Sequence, residues 1–118
     1  MRKFFVLVLF GLMPMRVFAS CDAAQDEVER ANCAYDEQKK AEYELSASYN
    51  KVLSTLDETE QTNLVKSQKM WWAFKEYECD AVSESNGLGT SAVIIGAHCR
   101  TDKSVHRVAE LKNLYGID

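Results

Sequence analysis

The sequence predicts an all-α fold: an antiparallel helical hairpin plus a shorter third helix, tied by two disulfides. Three observations carry this. Residues 22–83 contain no glycine or proline and repeat apolar residues at i+3 and i+4. One acidic interruption, Leu56-Asp57-Glu58-Thr59-Glu60, divides that run in two. Four cysteines, Cys21, Cys33, Cys79 and Cys99, are spread over a short chain with no CxxC pair, which reads as a disulfide framework and not as a metal site.

The first residues explain why oxidation is expected. Arg2-Lys3 precedes an apolar run from Phe4 to Met13, and Val17-Phe18-Ala19 follows. That order of charge, apolar core and small residue predicts a signal peptide over residues 1–19, cut after Ala19. The run is too short for a spanning helix, so no stable membrane insertion is expected after cleavage. Two alternatives are an uncut anchor and lipidation of Cys21, because Phe18-Ala19-Ser20-Cys21 loosely resembles a lipobox. Phe18 fits that motif poorly, and Cys21 is wanted for a disulfide. The expected location is the periplasm, or outside the cell. Residues 20–118 are expected to form a single domain.

Losing the three cations Arg2, Lys3 and Arg16 leaves eleven basic against eighteen acidic residues, a net charge of −7. Such a surface argues against nucleic acid and favours cationic partners.

Helix one is predicted over residues 22–57. Its stripe is Cys33, Ala41, Leu45, Tyr49, Val52 and Leu56, with Ala34 and Gln38 near the start. Asp22 or Asp26 can cap it. Glu27, Glu37, Lys40, Glu44 and Lys51 form its solvated side. Asp57 or Thr59 can cap helix two, which is predicted from about 60 to 83. Leu64, Gln68, Trp71, Lys75 and Glu78 share one face of it, and Phe74 lies beside that face. The core is expected to form around this stretch. Trp72 faces away from Trp71, which leaves an exposed aromatic surface as the functional alternative.

In the hairpin Trp71 comes near Leu45 and Tyr49. Cys33 and Cys79 fall at similar heights, which favours Cys33–Cys79 with Cys21–Cys99. The local scheme, Cys21–Cys33 with Cys79–Cys99, requires helix one to start late or bend. Residues 83–91 read as a polar, glycine-containing loop. Ala92–Ala97 is β-branched and is expected to be irregular, pinned by Cys99. The third helix is predicted over about 101–115, with Val105, Val108, Leu111 and Leu114 as its stripe, Tyr115 flanking the end and Gly116 as its C-cap.

No catalytic constellation emerges, and no cofactor or metal is expected. His98 and His106 lack a carboxylate at motif spacing, and the cysteines are committed to structure. Gly87-Leu88-Gly89 lacks the strand–glycine–helix context of a phosphate loop. The polar residues of interest are Gln68, Lys75, Glu78 and Arg107. Lys75 can lay its stem along Trp71 and reach Glu42 or Glu78, which gives either a snorkelling surface set or a half-buried network fixing helix register.

Leu64-x3-Gln68-x2-Trp71-x2-Phe74-Lys75-x3-Cys79 resembles the signature of the LprI-like N-terminal domain family, secreted bacterial proteins named after a lysozyme inhibitor. Cys21-x11-Cys33 and Glu42-x2-Leu45-x3-Tyr49-x3-Leu53 resemble its first part. Asn86-Gly87 and Cys99-x7-Arg107-x3-Leu111 resemble its last part. Departures are Lys75 where the family usually has Arg, Glu42 where it has Asp, and Leu45-Ser46 where it has Leu-Asn. Lys keeps the charge but not the two-pronged geometry of a guanidinium. The matching residues look like scaffold.

The resemblance implies a small helical, non-enzymatic binding protein, and a basic lysozyme as one partner that this acidity suits. A structural or adaptor protein of the cell envelope is the alternative. For partner contact the expected residues are Glu84, Ser85 and Asn86 in the 84–91 loop, together with Trp72.

Overall fold

Asp26 and Asp57 decide where the first two helices begin. Both have extended backbone, and each carboxylate accepts from the amide three residues on, Glu29 N at 2.7 Å and Glu60 N at 2.8 Å. The computed structural model describes Cys21 and residues 24–117; the leader expected over residues 1–19 and its cleavage point lie outside the described residues. Among the described residues there are three helices: α1 (Glu27–Leu53), α2 (Glu58–Ser85) and α3 (Thr90–Tyr115).

The turn between α1 and α2 is short and internally bonded. The Gln61 side-chain amide donates to the carbonyls of Leu53 at 2.9 Å and Leu56 at 3.2 Å, satisfying groups that the end of α1 leaves open. α2 therefore returns antiparallel to α1. α3 reverses again and lies parallel to α1. It packs along α1 more closely than along α2, and α1 and α2 scarcely approach at backbone distance. Buried small residues, Ala34 and Ala41 on α1 with Ala92, Ala97 and Ser104 on α3, permit that closeness.

The all-α architecture with three helices and two disulfides agrees with the sequence reading, but the third helix is not short. It begins at Thr90, not near residue 101. Ala92–Ala97, expected to be irregular, is its opening. Helix costs Val93, Ile94 and Ile95 only about 0.5 kcal/mol each in propensity, and it buries Ala92, Gly96 and Ala97. Gly96 serves close approach to α2. A Cβ there would lie 3.1 Å from Nη1 of Arg100 and 3.3 Å from Cβ and Oγ of Ser83. The connection is thus residues 86–89, turned by Gly87 and Gly89 at φ of 90° and 111°.

The disulfides are Cys21–Cys33 and Cys79–Cys99. This corrects the favoured Cys33–Cys79 and Cys21–Cys99 pairing. The late start of α1 leaves Cys21 outside the helix and free to fold back on Cys33. The early start of α3 places Cys99 on a helix facing Cys79.

The apolar core is Leu45 and Val52 of α1, Leu64 of α2 and Leu111 of α3, with Tyr49, Trp71, Val108 and Tyr115 packed against it. On α3 the inward row is Ser104, Arg107, Val108 and Leu111. The expected stripe is wrong at both ends, since Val105 and Leu114 are exposed. Strict i+3 spacing drifts around a helix of 3.6 residues per turn, so a row of four cannot hold one face. Gly116 closes α3 in left-handed backbone, as its position suggested.

Candidate functional site

Lys75 is the largest fully buried side chain, at 0% exposure. It sits on the inward face of α2 with Leu64, Gln68 and Cys79. Its ammonium lies 3.1 Å from Glu42 on α1 and 3.3 Å from Glu76 on its own helix. It also lies 3.3 Å from the ring centroid of Trp72 and 5.4 Å from that of Trp71. Two carboxylates and two aromatic faces replace the water that Lys75 has lost. Gln38 donates to the same Glu42 oxygen at 3.0 Å and holds it in place.

A second cation completes the arrangement from α3. The guanidinium of Arg107 lies 5.7 Å from the Trp71 centroid. Its Nε donates to Oε1 of Gln68 at 3.0 Å, and Nη1 pairs with Glu110. Trp71 therefore has a cation from α2 and another from α3 beside it. Further along, Arg100 reaches Glu76 at 3.0 Å and also pairs with Asp80. Burial opposes the Arg100 charge, but its hydrogen bonds to Glu76 and Asp80 outweigh burial and hold its pKa above the ordinary arginine value. Lys103 pairs with Glu78 at 3.2 Å and lies 5.1 Å from the Phe74 centroid. These contacts set the register of α3 on α2 along its length.

Of the two sequence readings for Lys75, the buried network is therefore the one formed. Gln68, Trp71, Lys75 and Arg107 come together, while Leu45, Tyr49, Leu64 and Leu111 build the adjoining apolar core. Phe74 does not join them; it is 56% exposed. Met70 and Tyr77 are also exposed, so α2 carries apolar side chains on its outer face. The spacing of these residues in the sequence could have revealed this second face. Arg100 and Lys103 gave no signal, because their partners are distant in the chain; Gln61 bonds nearby carbonyls, but only the geometry of the turn brings them within reach.

The expected contact segment is smaller than a loop. Glu84 and Ser85 belong to the last turn of α2, and Asn86 caps it by donating its side-chain amide to the carbonyl of Val82 at 2.7 Å. Only residues 86–89 connect the helices, with Leu88 fully exposed at the tip. Trp72 lies twelve residues before Glu84, about 18 Å back along the helix. Trp72 and the tip are separate surfaces. Beside the tip, a groove of about 380 Å³ is lined by Val28, Ala31, Asn32, Gly89, Thr90 and Val93.

These side chains are arranged to hold helices together. All four cysteines are bonded. Ligand atoms of Cys21, Cys33 and Glu37 lie within 4.8 Å of one another, but both sulfurs are committed to the disulfide. No described helix is long and apolar enough to cross a membrane. His98 and His106 are exposed.

Fold and site define a small helical module, stapled by disulfides and registered by buried cation–aromatic contacts. The family model for lysozyme inhibitor LprI matches residues 20–111, and the chain belongs to that family. Membership places it among non-enzymatic proteins of a secreted or periplasmic class. No curated protein and no solved structure matches it.

Proposed function

We propose that the mature chain is a periplasmic protein that binds a basic lysozyme and blocks its cleft. The observation that carries this reading is the family match, which spans all three helices up to Leu111. The charge of −7 expected for residues 20–118 supports it, because opposite charge accelerates encounter. The tip formed by Glu84, Ser85, Asn86 and Leu88 is the segment we assign to the cleft. It is exposed, narrow and anchored at its base by the Cys79–Cys99 bridge. A turbidity assay with purified mature protein and several lysozyme types tests this. Inhibition that weakens with salt and with Leu88→Asp is expected; full lysozyme activity at a large excess of protein overturns it.

A second reading is an adaptor of the cell envelope without lysozyme activity. The exposed aromatic side chains Trp72, Phe74 and Tyr77 favour it. A pull-down from envelope extract separates the two, since an adaptor recovers an envelope protein while leaving lysozymes active.

A further inference from the structure

The outer face of α2 is apolar at its centre and oppositely charged at its ends. At 3.6 residues per turn, Met70, Ala73, Phe74, Tyr77 and Ala81 point away from the inward row of Leu64, Gln68, Lys75 and Cys79. All five are exposed, Met70 at 74% and Tyr77 at 80%. Lys103 lies near the Phe74 ring, and neither α1 nor α3 covers the rest of the stripe. Toward the start of the helix the stripe meets Lys66 and Lys69. Toward its end it meets Asp80 and Glu84. Lys66, Lys69 and Glu84 have no ion-pair partner among the described residues, whereas Asp80 holds Arg100.

The geometry points to a second copy of this chain as the occupant, docked α2 against α2 in antiparallel orientation. A two-fold axis level with residue 75 sets Lys66 opposite the second copy's Glu84, and by symmetry Glu84 opposite its Lys66. Ala73 then faces Tyr77, so a small residue receives a large one on both sides of the axis. Met70 and Lys69 come within one residue of the levels of the second copy's Ala81 and Asp80, on the same sides of the helix pair. Parallel docking would instead oppose Lys66 to Lys66 and Glu84 to Glu84, and like charges at contact distance are unfavourable. The face is therefore complementary to itself in one orientation only, the property an isologous dimer requires.

Its extent sets the strength. From Lys66 to Glu84 the helix runs about 27 Å. A single helix face of that length is at the low end of specific interfaces, so a weak, concentration-dependent dimer is expected. The overall acidity of each copy opposes approach at long range, but salt near physiological strength screens charges more than about 8 Å apart. The inference does not rest on lysozyme binding: of the tip residues only Glu84 also belongs to the paired stripe, and Leu88→Asp tests the tip without altering that stripe.

Sedimentation velocity on the mature chain tests it. Wild type is expected to shift from monomer to dimer as concentration rises. Tyr77→Glu should weaken the dimer at least about tenfold, since a charge enters the apolar centre on both copies. Lys66→Glu and Glu84→Lys should each be monomeric alone, and an equimolar mixture of the two should recover a dimer. Circular dichroism confirms that these exposed substitutions leave helix content unchanged. The inference is overturned if wild type stays monomeric at about 1 mM, if the dimer ignores Tyr77→Glu, or if the charge-swapped mixture remains monomeric.

Discussion

The Lys75 ammonium and the Glu42 carboxylate sit 3.1 Å apart, yet only one of them can reach water: Lys75 is fully buried, whereas the Glu42 side chain is 22% exposed. The pair joins α2 to α1, whose backbones scarcely approach. It is held from above by Trp72 and from the side by Gln38.

That asymmetry predicts unequal mutants. Lys75→Met keeps the volume and frees Glu42 to rehydrate, so it should cost about 1 kcal/mol. Glu42→Ala strands a buried ammonium with Glu76 alone, and should cost about 2–4 kcal/mol. Urea denaturation of both variants checks the order. A larger loss for Lys75→Met would mean that the cation, and not its burial, dominates.

Leu111 and Leu114 are three residues apart on α3 but differ in surroundings. Leu111 is fully buried in the core, and Leu114 is 66% exposed. Leu111→Ala should destabilise by about 3 kcal/mol, and Leu114→Ala by less than about 0.5 kcal/mol. Equal effects would show that α3 is rotated from the face described.

The bridges should also contribute unequally. Cys79–Cys99 closes a separation of 20 residues between two packed helices, and replacing both cysteines by alanine should cost about 3 kcal/mol. Cys21–Cys33 ties a segment that precedes α1. That segment can detach without opening the core, so Cys21→Ala with Cys33→Ala should cost about 1 kcal/mol or less. Thermal unfolding of the two double variants measures the difference.

At the start of α2, the Glu60 backbone and side chain both hydrogen-bond Asp57 and hold its pKa below the ordinary aspartate value. The same contact, with the Asp57 charge, holds Glu60 above the ordinary glutamate value. A lowered carboxylate contributes stability above its unfolded pKa and loses it as pH falls through its folded pKa; Glu60 acts with the opposite sign. Acidification should therefore first relieve Glu60 and then release the Asp57 cap. Carbon-detected NMR titration should find the two split in this order, and Asp57→Asn should return Glu60 toward its ordinary range.

The start of α2 was legible because it rests on local chemistry, Asp57 bonding an amide three residues away; the body of α1 was legible too, but its start falls at Glu27, not residue 22, with Asp26 as its cap. The Lys75–Glu42 contact was legible only as one of two alternatives, since the sequence left Lys75 open between a solvated set and a buried network; of the two carboxylates offered, Glu42 takes it and Glu78 pairs with Lys103. The opening of α3 was not legible. Val93, Ile94 and Ile95 point locally to extended backbone, and only burial of Ala92, Gly96 and Ala97 by other helices makes them helical. The disulfide pairing was misread for a different reason: a hairpin alone sets Cys33 and Cys79 at similar heights, and a helix beginning at residue 22 leaves Cys21 no room to fold back on Cys33. The outer face of α2 was legible in part, as the exposed aromatic surface that Trp72 suggested, but its extent along Met70, Phe74 and Tyr77 was obscured by the core role of Trp71.

Each bridge joins a cysteine to the next one in the chain. A polypeptide delivered through a pore amino end first presents Cys21 and Cys33 to an oxidant well before Cys79 emerges. The first ring can close while the wrong partners are still on the other side. Only the second pair then remains, and it has no choice to make. Of three conceivable pairings, the order of arrival in a chain exported this way favours the one the folded molecule uses, so no reshuffling would be required.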